Sequence, residues 1–210
     1  MSAEIHQAVF TIGHSNLEFS EFLTLLKQHR VQAVADVRSS PHSHYNPQFN
    51  REPLQRALRE QGISYVFLGT ELGARRSEPE CYLNGRADYS LIAQTPAFQH
   101  GLDRITQGAA TMRVAMMCAE KDPLDCHRCI LVSPRLRERG IEVRHILSDG
   151  ALESQEQAER RLAQLFELPE RELFRSPGEI VAEAYRLQGE KIAYQEDAFV
   201  LRDEPPTYGD

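Results

Sequence analysis

The chain has 210 residues, 41% of them hydrophobic, enough for one substantial core. Its formal charge of -7 lies in the tail: residues 1–150 carry 17 Lys and Arg against 17 Asp and Glu, and residues 151–210 carry 7 against 14. A neutral body with an acidic tail lacks the basic stripe of a bulk nucleic-acid binder, and no run approaches the roughly 18 apolar residues of a membrane span. The opening Met-Ser-Ala-Glu-Ile-His has neither the basic region nor the apolar stretch of a signal peptide, so a cytoplasmic protein without a membrane partner is expected.

Residues 8–12, Ala-Val-Phe-Thr-Ile, form an apolar, β-branched run that stops at Gly13. A helical period follows, with Phe22, Leu25 and Leu26 on one face. Residues 31–37 make a second strand, apolar until Asp36 and Arg38, as a strand covered on both faces should be. The stretch 39–53, with its prolines, asparagines and histidines, is an irregular loop suited to a polar and aromatic lid. A helix over 53–61, a strand over 63–68, a second irregular stretch over 70–88, a helix over 98–107 and a strand over 112–118 come next. A polar loop then leads into a helical pattern through Ile130, Leu131 and Leu136, stopped by Gly140, and residues 142–147 make a fifth strand. Helices over 152–166 and 177–196 complete the pattern, the second with an apolar face of Ile180, Val181, Ala184, Leu187 and Ile192 that suits packing on the body. The last residues, with Pro205 and Pro206, are expected to fray.

Strands alternating with helices predict an α/β fold: a mainly parallel five-strand sheet, helices on both faces and a C-terminal helical extension. Residues 1–150 are the body carrying the site, and 151–210 an acidic extension of the same domain. Such sheets bind ligands beyond the carboxyl ends of their strands, so the polar residues there are the candidates.

Cys118 and Glu120 leave the end of a buried strand together. Cys126, His127 and Arg128 lie near the start of the next helix, where free amides favour an anion or a thiolate. Together they offer a nucleophile, a base and a guanidinium, against the plain alternative of buried helix cysteines and a satisfied histidine. The first strand end adds Gly13 for a tight turn, His14 as a base, and Ser15 and Asn16 as ligands or helix caps. The second adds Asp36 and Arg38, read equally well as an internal ion pair or a ligand clamp.

The four cysteines, at 81, 118, 126 and 129, suit reduced thiols or a metal better than a disulfide scaffold. Only one Cys-x-x-Cys pair is present, Cys126 and Cys129, and Cys129 is expected to face the core, so no cofactor is predicted and a metal ion is a minor alternative. No Walker loop, nucleophile elbow, HExxH or dinucleotide fingerprint occurs.

Taken together, Thr11-Ile12-Gly13-His14-Ser15, Asp36-Val37-Arg38 with Pro41, Leu68-Gly69 with Glu71-Leu72-Gly73, Cys118-Ala119-Glu120, Cys126-His127-Arg128, His145-Ile146, Ala184-Tyr185-Arg186 and Ile192-Ala193-Tyr194 resemble the bacterial family known as domain of unknown function 488. The resemblance implies that the polar strand ends share one site and carries no reaction with it; Cys81 and Cys129 are not among its marks. The residues themselves suggest an enzyme acting on a phosphate-bearing or nucleoside-like ligand. In that reading Cys118 or Cys126 is the thiol, His14 or Glu120 the acid/base with His127 beside the thiols, and Arg38 and Arg128 the anion clamps. A non-catalytic module sensing a small anion or a modified nucleic-acid end, and a metal-binding protein, are the rivals. Nothing in the sequence specifies an oligomeric state.

Overall fold

A computed structural model describes residues 8–169 and 171–196; the expected fraying around Pro205 and Pro206 lies outside them. In chain order the body runs β1 (Ala8–Gly13), α1 (Phe19–Gln28), β2 (Ala33–Asp36), α2 (Arg51–Glu60), β3 (Ser64–Phe67) and a single turn, α3 (Gly69–Leu72). A two-strand hairpin, β4 (Tyr82–Leu83) and β5 (Arg86–Ala87), precedes α4 (Tyr89–Gln94), α5 (Pro96–Ala109) and β6 (Val114–Cys118). A π-helical turn over Arg128–Val132 opens into α6 (Ser133–Glu138), followed by β7 (Glu142–Ile146), β8 (Leu152–Ser154), α7 (Gln155–Leu165) and α8 (Pro177–Ile192).

The sheet order is β3-β2-β6-β1-β7-β8, with every pairing parallel except β7 with β8. The five expected strands are the five parallel ones. The sixth, β8, occupies residues expected to begin a helix, which instead starts one turn later behind the Ser154 cap. The fold is therefore α/β, as the alternation of elements predicts.

Strand periodicity of two divides the core. Phe10, Ile12, Val34, Ala115 and Met117 face Phe22, Leu26, Leu54 and Leu58 of α1 and α2. Val9, Ala35, Val114 and Met116 face Ile92, Phe98, Leu102 and Leu136 of α4, α5 and α6. The extension packs on the body: Ala158, Leu162 and Ala184 bury Leu124, Cys129 and Ile130, while Gln188 Nε2 donates to the Leu124 carbonyl at 2.8 Å. Of the apolar face expected on α8, Ile180 and Ala184 are buried. Among the described residues no helix is long and apolar enough to cross a membrane.

The topology positions the site. From β1 the chain crosses to β2 by way of α1 on one face; from β6 it crosses the opposite way, to β7, by way of α6 on the other. The carboxyl ends of β1 and β6 therefore frame the switch point of the sheet, the place where open α/β sheets commonly bind ligands.

Candidate functional site

Gly13 and Cys118 are register partners at the ends of β1 and β6, and the pairing continues beyond the strands. His14 N–H donates to the Cys118 carbonyl at 2.9 Å and Ser15 N–H to the Ala119 carbonyl at 2.8 Å. A Cβ on Gly13 would lie 1.8 Å from the Glu120 carbonyl oxygen, so only glycine lets the two loops approach this closely. Ser15 turns the chain away with φ of 46°, a conformation that a non-glycine residue holds at an energetic cost. Gly13→Ala is expected to cost about 3 kcal/mol because the clash is with main chain, which urea unfolding of the variant would register.

His127 Nε2 sits 3.0 Å from the Val37 carbonyl, an acceptor, so this nitrogen carries the proton and Nδ1 presents its lone pair. Nδ1 lies 3.8 Å from Cys118 Sγ and 3.9 Å from Cys126 Sγ. Arg128 N–H donates to Cys126 Sγ at 3.4 Å, so the sulfur caps the helix that it precedes. Burial opposes ionisation of Cys126, but Cys118, the Arg128 charge and His127 outweigh it and hold the thiol well below its ordinary range. Burial, reinforced by the adjoining Cys126, pushes the Cys118 thiol up. Burial would lower the His127 pKa, yet the adjoining Cys126 raises it.

Arg128 is buried, with 1% of its surface exposed, and its guanidinium meets no carboxylate at ion-pair distance among the described residues. Nη1 donates to the Glu120 carbonyl at 2.9 Å, Nη2 to that of Lys121 at 3.3 Å, and Nε has no partner. The π-helical turn that carries it has a local cause: Pro134 lacks an N–H for the Ile130 carbonyl, and Ser133 Oγ donates back to the Arg128 carbonyl at 2.6 Å. Glu120 lies at the solvent edge of this cluster, where surrounding protein and then Cys126 raise its carboxyl above the usual range.

The Asp36–Arg38 pair is differently employed. Arg38 Nε and Nη2 fork onto the Asp36 carboxylate at 2.9 and 2.6 Å, Nη2 also donates to the Phe49 carbonyl at 2.8 Å, and Nη1 donates to His14 Nε2 at 3.1 Å. His14 Nδ1 donates to the Ser15 carbonyl at 2.8 Å, and its ring stacks on Phe49 with centroids 4.3 Å apart. Both imidazole nitrogens are thereby engaged, and burial followed by the Arg38 charge lowers the His14 pKa to about 4. His14 thus has no free lone pair for an acid/base role, and the ion-pair reading of Asp36 and Arg38 describes the geometry.

Two partners here escaped the sequence reading. Tyr65 OH donates to Asp36 Oδ2 at 2.8 Å from the neighbouring strand, and Phe49 supplies both a ring and a carbonyl. Cys129 points away from the cluster, toward His145 and Gln155, as expected of a core cysteine. At the mouth, Gly13, Ser15, Asn16, Lys121 and Ser148 line a small cleft of about 50 Å³. Lys121 is an addition to the expected set; its side chain makes no ion pair among the described residues.

No curated protein and no solved structure matches the chain. A family model described as Domain of unknown function DUF488 matches residues 18–133. This span includes Asp36, Arg38, Cys118, Glu120, Cys126, His127 and Arg128, and leaves Gly13, His14 and His145 outside. The match covers more than half of the 210 residues, and the chain belongs to the DUF488 family.

Proposed function

We propose that the protein is an enzyme acting on a phosphate-bearing or nucleoside-like ligand seated at the switch point, with Arg128 as the anion-holding charge and the Cys118, Cys126, His127 and Glu120 cluster as the reacting centre. One observation carries this reading: a guanidinium taken out of water without a carboxylate partner among the described residues. Burying a charge costs several kcal/mol unless it is balanced, and beside Arg128 the described residues place only the Cys126 sulfur and main-chain carbonyls, a setting suited to receiving further negative charge from outside. Gly13 and Lys121 support it, the first by leaving Arg128 Nη2 only 3.1 Å from where a Cβ would stand beside the cleft, the second by adding a free ammonium at the rim.

Thermal-shift titration with inorganic phosphate and nucleoside monophosphates tests this. The wild type is expected to be stabilised, and Arg128→Met to bind at least about 30-fold more weakly, as loss of a desolvated charge contact implies. The variant should nevertheless keep its own melting point within a few degrees, since an apolar chain of similar length replaces a charge that gains no ion pair by folding. Cys118→Ser should abolish turnover without unfolding the protein. Equal ligand shifts in wild type and Arg128→Met would sink the proposal.

A second reading is favoured by one feature: Cys118 and Cys126 are 3% and 1% exposed, so a ligand in the cleft meets neither sulfur directly. A module that senses a small anion without turnover fits that closure. It predicts Arg128-dependent binding that Cys118→Ser leaves intact.

A further inference from the structure

The geometry points to a metal site: we infer that Cys118 Sγ, Cys126 Sγ and His127 Nδ1 hold one soft divalent ion, zinc by preference, with the fourth position left to a ligand from outside the described residues. The inference deepens the enzyme reading by assigning work to sulfurs that the cleft does not reach; it rests on that reading for the site's purpose but not for its ligands.

All three donor atoms lie within 4.8 Å of one another, and the two sulfur-to-nitrogen separations are 3.8 and 3.9 Å. Zinc bonds of about 2.3 Å to sulfur and about 2.0 Å to nitrogen at tetrahedral angles place such atoms roughly 3.6 to 3.8 Å apart, so the sulfur-to-nitrogen separations need shifts of tenths of an ångström and the two sulfurs must close by at most about 1 Å. The surroundings are those of a ligand set. His127 donates its other ring N–H to the Val37 carbonyl, which fixes the tautomer and turns Nδ1 toward the sulfurs. Arg128 N–H on Cys126 Sγ provides the amide-to-sulfur bond that stabilises a bound thiolate.

The closure that bars a substrate from the sulfurs is no obstacle to an ion. Three protein ligands with a free position are the pattern of a zinc that works on a bound molecule, whereas structural zinc is closed by four. Cys129, occupied with His145 and Gln155, is not available as the fourth. Two thiolates cancel the charge of the ion, so the centre is neutral and the demand of Arg128 for an anion is unchanged.

The test is elemental analysis of the full chain purified without chelator, followed by cobalt(II) titration of the stripped protein. The expected result is about one equivalent of zinc in the wild type and in Cys129→Ser, falling to under about a tenth in Cys118→Ser, Cys126→Ser and His127→Ala. Cobalt should add with the visible bands and sulfur-to-metal charge transfer of a tetrahedral thiolate site. Stripped wild-type protein that stays folded by circular dichroism and takes up cobalt without a thiolate band overturns the inference, and it does so whether or not the variants fold. Phosphate binding that depends on Arg128 in such metal-free protein would keep the enzyme reading while removing the metal. Stoichiometric zinc without any ligand shift would support the metal and remove the proposed substrate.

Discussion

Asp36→Ala is expected to destabilise the protein by about 3–5 kcal/mol, the range found when one member of a buried ion pair is removed. Asp36 is fully buried and Arg38 is 6% exposed, so the guanidinium left behind has no water to replace the carboxylate. The loss spreads along a chain of contacts. Tyr65 OH loses its acceptor, and the fork that holds Arg38 against the Phe49 carbonyl and His14 loses two of its bonds. The stack of His14 on Phe49 then has no fixed partner, which loosens the loop between β2 and α2. Urea unfolding gives the size, and a double variant, Asp36→Ala with Arg38→Met, isolates the cause. Removing both charges should recover much of the loss, because the unpaired buried cation is gone. A double variant as unstable as Asp36→Ala alone would show that packing, not charge, sets the cost.

The same two residues show what the sequence discloses. Asp36 closes β2 and Arg38 follows two residues on, so their pairing is legible from alternation, whereas Arg128 and Arg38 look alike until their surroundings are known. Asp36 neutralises one guanidinium, and only main-chain carbonyls meet the other, brought there by a loop that no periodicity describes. β2 and β6 were legible because burial on both faces makes them continuous apolar runs, whereas β3 and β7 were read from their β-branched and aromatic residues and from their place between helices. The smaller strands were not, although they left signals. Asn84-Gly85, with φ of 52° and 73°, is a hairpin turn pair inside a stretch expected to be irregular. Ser154 with Gln157 is a capping box that places the start of α7 after β8. Tyr65 and Phe49 were invisible as site residues because each contributes through a neighbour in space, across a parallel register or from a loop.

Acid should unfold this protein unusually early, and two histidines are the reason. His14 and His145 are 3% and 0% exposed, and both pKa values are lowered to about 4, chiefly by burial. The hydrogen bonds suit neutral rings. His145 Nε2 sits 2.8 Å from Gln155 Oε1, an acceptor, and its Nδ1 takes the Thr11 hydroxyl at 2.7 Å; His14 Nε2 takes an N–H of Arg38. A proton on the accepting nitrogen of His14 would confront the Arg38 donor, and one on His145, although the Thr11 hydroxyl can turn to accept it, would be buried beside the Arg128 charge. Between pH 6.5, the unfolded-state value, and about 4, the unfolded chain binds protons that the folded chain refuses, so stability falls as the pH falls. Each histidine contributes about 3 kcal/mol that is present above the window and lost by its lower edge, and together they supply a slope near pH 5 of about 2.4 kcal/mol per pH unit, which the raised Glu120 carboxyl partly opposes. Carboxylates held low by arginine partners, such as Asp122 on Arg161, act below this window and do not mimic it. Urea midpoints measured from pH 7 to 4.5 give the slope, and His145→Gln should halve it while leaving the contribution of His14. A wild-type protein whose stability stays flat across that range would mean that both rings accept protons in the fold and that the buried network around Arg38 and Arg128 is looser than its hydrogen bonds describe.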